Sequence, residues 1–168
     1  MDKKFARITL DKDFPISRVD KRIYGSFVEH LGRAVYGGVY QPGHPSADEE
    51  GFRQDVLDLV KEIGVPIVPL SRRQLCLQLL LGGQRGPCGG PAPAAGIGLA
   101  QHRAQLVGVN EFSSWCKKAG TDLMMAVNLG TRGIEAACNL LEYCNHPSGT
   151  KYSDLRISHG VKDPHNIQ

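Results

Sequence analysis

Glu29 is where chemistry would start in this sequence. It stands near the end of Arg22–Gly32, R-I-Y-G-S-F-V-E-H-L-G, an apolar run that turns abruptly polar. Read as a buried strand, that run carries a carboxylate to its carboxyl end, the edge on which α/β proteins build their sites. A carboxylate there accepts charge-assisted hydrogen bonds, stronger than neutral ones, and sugar hydroxyls are suitable donors. A structural role is the competing reading, an ion pair with Arg33. Phe27 lies two residues earlier on the same face of a period-2 strand. It would line the same subsite, although core packing explains it equally well. Asn128 ends the later run D-L-M-M-A-V-N and is a third candidate, with turn formation before Gly130 as the alternative.

Other chemistries find little footing. His30, His44, His146, His159 and His165 show no ligand spacing, so no metal is expected, and no cofactor motif stands out. G-G-Q-R-G-P-C-G-G lacks the G-x-x-x-x-G-K-[ST] order of a phosphate loop. The net charge of +3 is too mild to argue for nucleic acid. Five cysteines, Cys76, Cys88, Cys116, Cys138 and Cys144, make a poor disulfide framework and read as free thiols in a reducing cytoplasm. The N-terminus has no apolar leader, and no run approaches the roughly 18 apolar residues of a membrane helix, so neither secretion nor a membrane is expected.

The elements that would position Glu29 follow in order. Residues 4–10 read as a short strand. After a Gly/Pro-rich loop, Ser46 and Glu49 have the spacing of a capping box. Phe52, Val56, Leu59, Val60 and Ile63 then make a helical stripe that Gly64 would end. V-P-I-V, 65–68, is a short buried strand. Asn110 would cap a helix through Phe112, Trp115, Cys116 and Ala119, with Gly120 as its terminator. Residues 122–128 form an apolar strand, and Ile134, Ala137, Leu140, Leu141 and Cys144 a further helical stripe. The tail, N-H-P-S-G-T-K-Y-S-D-L-R-I-S-H-G-V-K-D-P-H-N-I-Q, reads mostly as loop. Alternating strands and helices imply parallel strands with crossover helices, apolar and covered on both faces. A closed eight-unit barrel needs about 250 residues; 168 residues give either a small open sheet or the front of a barrel.

Two long stretches, Lys21–Glu62 and Val107–Ile167, resemble bacterial α-L-arabinofuranosidases of glycoside hydrolase family 51, and the likeness covers residues 1–68 and 106–168. The resemblance implies the first three β/α units of a (β/α)8 barrel over residues 21–168. Residues 1–20 become a strand segment of the family's β-sandwich. It also implies hydrolysis of terminal non-reducing α-L-arabinofuranosyl residues from arabinan or arabinoxylan oligosaccharides, by a retaining mechanism in the cytoplasm. The partner would be an arabinose-containing oligosaccharide, with a homo-oligomer allowed for the intact enzyme. Glu29 falls on a position that binds the arabinofuranose ring. The family's acid/base lies in a W-C-x-G-N-E segment soon after the match to P-H-N-I, and its nucleophile much further on. Both catalytic carboxylates are therefore expected to be missing from these 168 residues, leaving an inactive fragment. The alternative is a non-catalytic carbohydrate-binding or interaction module.

Residues 69–105 break the resemblance. Where the family reads much like R-Y-P-G-G-N-F-V, this chain has P-L-S-R-R-Q-L-C. One extra nucleotide before plausible codons for the former yields the latter. The same shift turns W-H-S-I-E into L-A-Q-H-R, residues 99–103. A compensated frameshift is the reading. Its many Gly and Pro residues disfavour a crossover helix, since Gly costs about 1 and Pro about 3 kcal/mol in a helix interior, so a poorly ordered or non-native middle and low stability are expected.

Overall fold

The structure, a computed structural model, describes residues 4–29, 32–70, 107–127, 129 and 133–167. It is mixed α/β. Its elements are a 3-10 turn at Lys21–Tyr24, α1 (Gln54–Ile63), β1 (Ile67–Leu70), α2 (Val109–Ala119), β2 (Asp122–Met125), α3 (Gly133–Asn145) and α4 (Lys151–Ser158).

β1 and β2 run parallel, in register from Ile67 opposite Asp122 to Leu70 opposite Met125. Val28 adds a single parallel bridge to Leu70 on the other side of β1. Three successive segments thus lie side by side in chain order, all pointing the same way. The first crossover carries α1 and the second carries α2, which pack on each other.

Glycine ends two helices as the sequence leads one to expect. Gly64 and Gly120 adopt φ of 69° and 70°, a left-handed conformation that side chains resist. The N-termini differ from expectation. Arg53, not Ser46, precedes α1; Ser46 instead donates its hydroxyl to Asp55 at 2.7 Å. Gly108 precedes α2, and the Glu111 carboxylate folds back to accept its N–H at 2.7 Å. Asn110 therefore sits inside the helix, freeing its side chain for tertiary contacts.

Other expectations fall. Residues 4–10 form no strand and are exposed, Phe5 at 91% and Leu10 at 93%. A strand needs a partner for its backbone N–H and C=O groups, and among the described residues this segment has none. The long strand expected over 22–32 shrinks to the bridge at Val28, because Lys21–Tyr24 turn into a 3-10 helix, where Asp20 accepts the Arg22 N–H at 2.9 Å. The tail, read as mostly loop, also carries one helix, α4, at 151–158. Thr150 and Ser153 form its reciprocal cap.

One core gathers Val35, Val39, Phe52, Leu57, Val68, Leu70, Phe112, Trp115, Leu140 and Tyr143 with their neighbours. The stripes reach it only in part. Phe52 is fully buried and Val56 and Val60 pack against the core, but Leu59 and Ile63 are exposed; on α3, Ile134 and Leu141 are exposed while Tyr143 is buried. Nor is β2 covered on both faces: Met124 is 47% exposed. Covering the second face requires a further layer, and the described residues place none there.

Candidate functional site

The segment carrying Glu29 is fixed by its backbone. Gly25 runs so close to β1 that a Cβ there would meet Ile67 Cγ2 at 2.6 Å and the Ile67 carbonyl oxygen at 2.8 Å. Glycine is the residue that permits this approach. Ser26 N–H then donates to the Ile67 carbonyl at 3.0 Å, and Val28 bridges to Leu70. Glu29 follows immediately, at the carboxyl end of the bridged segment, beside the carboxyl end of β1.

Glu29 is partly buried. Among the described residues it has no hydrogen-bond or ion-pair partner, Arg33 included. Its carboxylate can accept charge-assisted hydrogen bonds at this strand end. Phe27 is 60% exposed and is therefore not a core residue. Asn128 lies outside the described residues, as does His30. The structure thus brings Glu29 and Phe27 to one strand end.

Elsewhere, polar residues have structural employment. Lys118 on α2 lies 2.7 Å from Asp48 and 2.8 Å from Glu50, and its ammonium stands 5.4 Å from the centre of the Phe52 ring. Ser114 donates to Glu50 at 2.7 Å. These contacts pin the loop before α1 onto α2. Cys116, Cys138 and Cys144 are free thiols. Among the described residues no group of three His, Cys, Asp or Glu side chains could hold a metal, and no helix is long and apolar enough to cross a membrane.

Sequence reasoning missed a polar cluster that joins α2, α3 and the tail, built from Asn110, Tyr143, His159 and His165 near the buried Arg156. Two signals were present. Asn110 lies inside the helical stripe, and the tail crowds His159 and His165 around a segment that packs on α3.

Comparisons with known proteins bear on this geometry directly. The α-L-arabinofuranosidase 1 domain matches residues 96–168. The chain is 56% identical, over 98% of its length, to an intracellular exo-α-(1→5)-L-arabinofuranosidase from Acetivibrio thermocellus. The chain matches an N-terminal portion of family 51 α-L-arabinofuranosidases. A second intracellular exo-α-(1→5)-L-arabinofuranosidase, from Bacillus subtilis, is 50% identical, again over 98% of the chain. Among solved structures, a family 51 α-L-arabinofuranosidase from Bifidobacterium longum superposes with a TM-score of 0.77 at 42% identity over 92% of the chain, and covers 31% of that protein. A thermostable family 51 enzyme from Thermotoga petrophila gives 0.72 at 35% identity, over 89% of this chain and 31% of its own. The chain spans about a third of the length of the curated relatives it matches, 33% of both the Acetivibrio and the Bacillus proteins.

Proposed function

We propose that this chain supplies the opening strands of an α-L-arabinofuranosidase barrel and that Glu29 is a sugar-binding carboxylate of its active site. In this reading the Val28 segment, β1 and β2 are the first three strands of a (β/α)8 barrel, and residues 1–20 join a β-sandwich. The observation that carries it is the placement of Glu29: half-withdrawn from water, unpaired among the described residues, at the carboxyl end of parallel segments. Glu29 accepts hydrogen bonds from hydroxyls of the arabinofuranosyl ring, Phe27 offers an apolar wall beside it, and Asn128 adds a polar group from the end of the third strand. The substrate is a terminal non-reducing α-L-arabinofuranosyl residue of an arabinan- or arabinoxylan-derived oligosaccharide, and the working place is the cytoplasm. Supporting this, the relatives are named intracellular exo-α-(1→5)-L-arabinofuranosidases. A homo-oligomer suits the intact enzyme.

The 168 residues do not perform the hydrolysis by themselves. Retaining glycosidases need two carboxyl groups about 5–5.5 Å apart, one as acid/base and one as nucleophile. On the described residues that end these strands, Glu29 is the single carboxylate. Residues 69–105, read as a frameshift, replace an asparagine that would serve the substrate. Pro69 and Leu70 nonetheless complete β1, and residues 71–105 lie outside the described residues. Resequencing the gene across this window tests the frameshift: an unshifted reading that still encodes P-L-S-R-R-Q-L-C refutes it. For activity, the purified chain is incubated with an aryl α-L-arabinofuranoside. No release above the blank is expected, and enzyme-dependent turnover refutes the assignment.

A second reading, an interaction module, is favoured by the apolar face that Met124, Val127 and Leu129 leave exposed beside β2. Calorimetry with L-arabinose separates the two. Binding by the isolated chain that Glu29→Ala abolishes favours the module.

A further inference from the structure

Asn110 on α2, Tyr143 on α3, and His159 and His165 beyond α4 form a hydrogen-bond relay. Asn110 Nδ2 donates to the Tyr143 hydroxyl at 2.8 Å. That leaves Asn110 Oδ1 to face His165 Nε2 at 2.8 Å, so Nε2 must carry the proton. The Tyr143 hydroxyl also lies 3.0 Å from His159 Nδ1 and donates its own proton there when that nitrogen is bare. The Tyr143 ring stacks on His165, with ring centres 6.4 Å apart. Burial disfavours the charged form of both histidines.

The relay holds the segment after α4. His165 N–H donates to the Cys144 carbonyl at 2.7 Å, and Asn145 exchanges two 2.8 Å hydrogen bonds with the backbone of Ile167. Arg156 grips the same segment from the other end through the Val161 and Lys162 carbonyls, each at 3.2 Å.

The weak point is His165 Nδ1. It is buried and, among the described residues, has no hydrogen-bond partner. A proton there would find no acceptor among them and would place a second cation near Arg156. The charges around it oppose that proton: Lys117 on α2 and Arg156 on α4, with Tyr143 and the un-ionised Cys144 thiol on α3. Glu111 on α2 faces His159, where it favours a charge that burial disfavours.

We propose that the Asn110–Tyr143–His159–His165 relay is an acid-opened latch, fastening residues 161–167 to α2 and α3 and releasing them when His165 takes up a proton. Burial first, then the two cations, push the His165 imidazole down to about 4. The latch is therefore shut at neutral pH and opens in acid. On release the buried imidazolium reaches water, the Cys144 carbonyl loses its donor, and Ile167 leaves Asn145.

The test follows the histidine ring signals and the amide protection of His165 and Ile167 in the full 168-residue chain, from pH 8 to pH 3.5. At neutral pH His165 is expected as the Nε2–H tautomer. Protection factors at both amides should fall at least tenfold in the step that titrates its ring, with Trp115 emission unchanged through that step. His165→Gln keeps a donor toward Asn110 but cannot be protonated, and is expected to remove the step at Ile167. An Nδ1–H tautomer in the unaltered chain overturns the proposal. So does His165 titration near its ordinary 6.5 with Ile167 still protected, or a step that survives in His165→Gln.

Discussion

Arg156 closes the end of α3 by donating Nη1–H to the Tyr143 carbonyl at 2.8 Å, with both residues fully buried. The same guanidinium reaches the carbonyls of His146 at 2.6 Å and Pro147 at 2.7 Å. Its hydrogen bonds all go to main-chain oxygens. These carbonyls would otherwise be orphaned where the helix dipole is negative, which suits a cation. Arg156→Met removes the donors and leaves the oxygens buried. It should cost at least about 3 kcal/mol, since one unsatisfied buried acceptor already costs roughly 1–3 kcal/mol. Urea unfolding followed by Trp115 emission measures this, and a loss below about 1 kcal/mol would contradict the role.

Gly25 and Ile67 set the position of Glu29. Gly25→Ala puts a methyl 2.6 Å from Ile67 Cγ2 and 2.8 Å from its carbonyl oxygen, one of them main chain that cannot swing aside. The backbone must shift, at about 1–3 kcal/mol for this kind of overpacking. The Val28–Leu70 bridge should loosen, seen as faster amide exchange at Ser26. An alanine variant with unchanged stability and exchange would show that the close approach is not required.

Lys118 gives the loop before α1 an acid sensitivity. Hydrogen bonds from Lys118 and then Ser114 pull Glu50 below its ordinary 4.5; for Asp48, burial opposes the shift but Lys118 and the Phe52 N–H outweigh it. A carboxyl depressed in the folded state stabilises that state at neutral pH, and the stabilisation fades as pH falls below the ordinary value and through the folded one. Lys118→Met should cost no more than about 1 kcal/mol at pH 7, because the cluster is solvent-screened. The gap in urea midpoint between the two proteins should close toward pH 2. A gap constant with pH would mean Lys118 acts through its apolar stem alone.

Thiol labelling reads the packing of α2 and α3. Cys138 is exposed, whereas Cys116 and Cys144 are buried, and burial pushes each thiol up to about 12. Only the thiolate reacts readily. Mass mapping after brief alkylation at pH 8 should find Cys138 modified and the other two protected until urea is added. Labelling of Cys144 at the rate of Cys138 would show α3 detached from the core.

What the residues disclosed in advance was periodic or local. The Phe52–Val56–Val60 face and Gly64 and Gly120 at helix ends follow from spacing and backbone preference, as do two strands, read at 65–68 and 122–128 and found at 67–70 and 122–125. The misses needed three-dimensional information. Asn110 looks like a cap because its type suits one, but Gly108 and Glu111 satisfy that end and Asn110 turns to Tyr143 and His165. Leu59 and Ile63 fit the stripe yet stay exposed, because periodicity marks a face without saying that a neighbour covers it. Residues 22–24 look like strand because Ile23 and Tyr24 suit one, but the Asp20 cap wins locally. Of the site, Glu29 was legible as a polar end to an apolar run. Its lack of a partner among the described residues was not, since Arg33 offered one nearby in sequence.

The most direct measurement uses a chimera in which residues 1–68 of this chain replace the matching residues of the Acetivibrio thermocellus relative. With an aryl α-L-arabinofuranoside, kcat/KM is compared between Glu29 and Glu29→Gln. A charged acceptor lost from a sugar hydroxyl is worth about 1.5–3 kcal/mol, so a fall of about 10- to 150-fold is expected, with the fold intact by circular dichroism. An unchanged kcat/KM in a folded Glu29→Gln chimera would contradict the account.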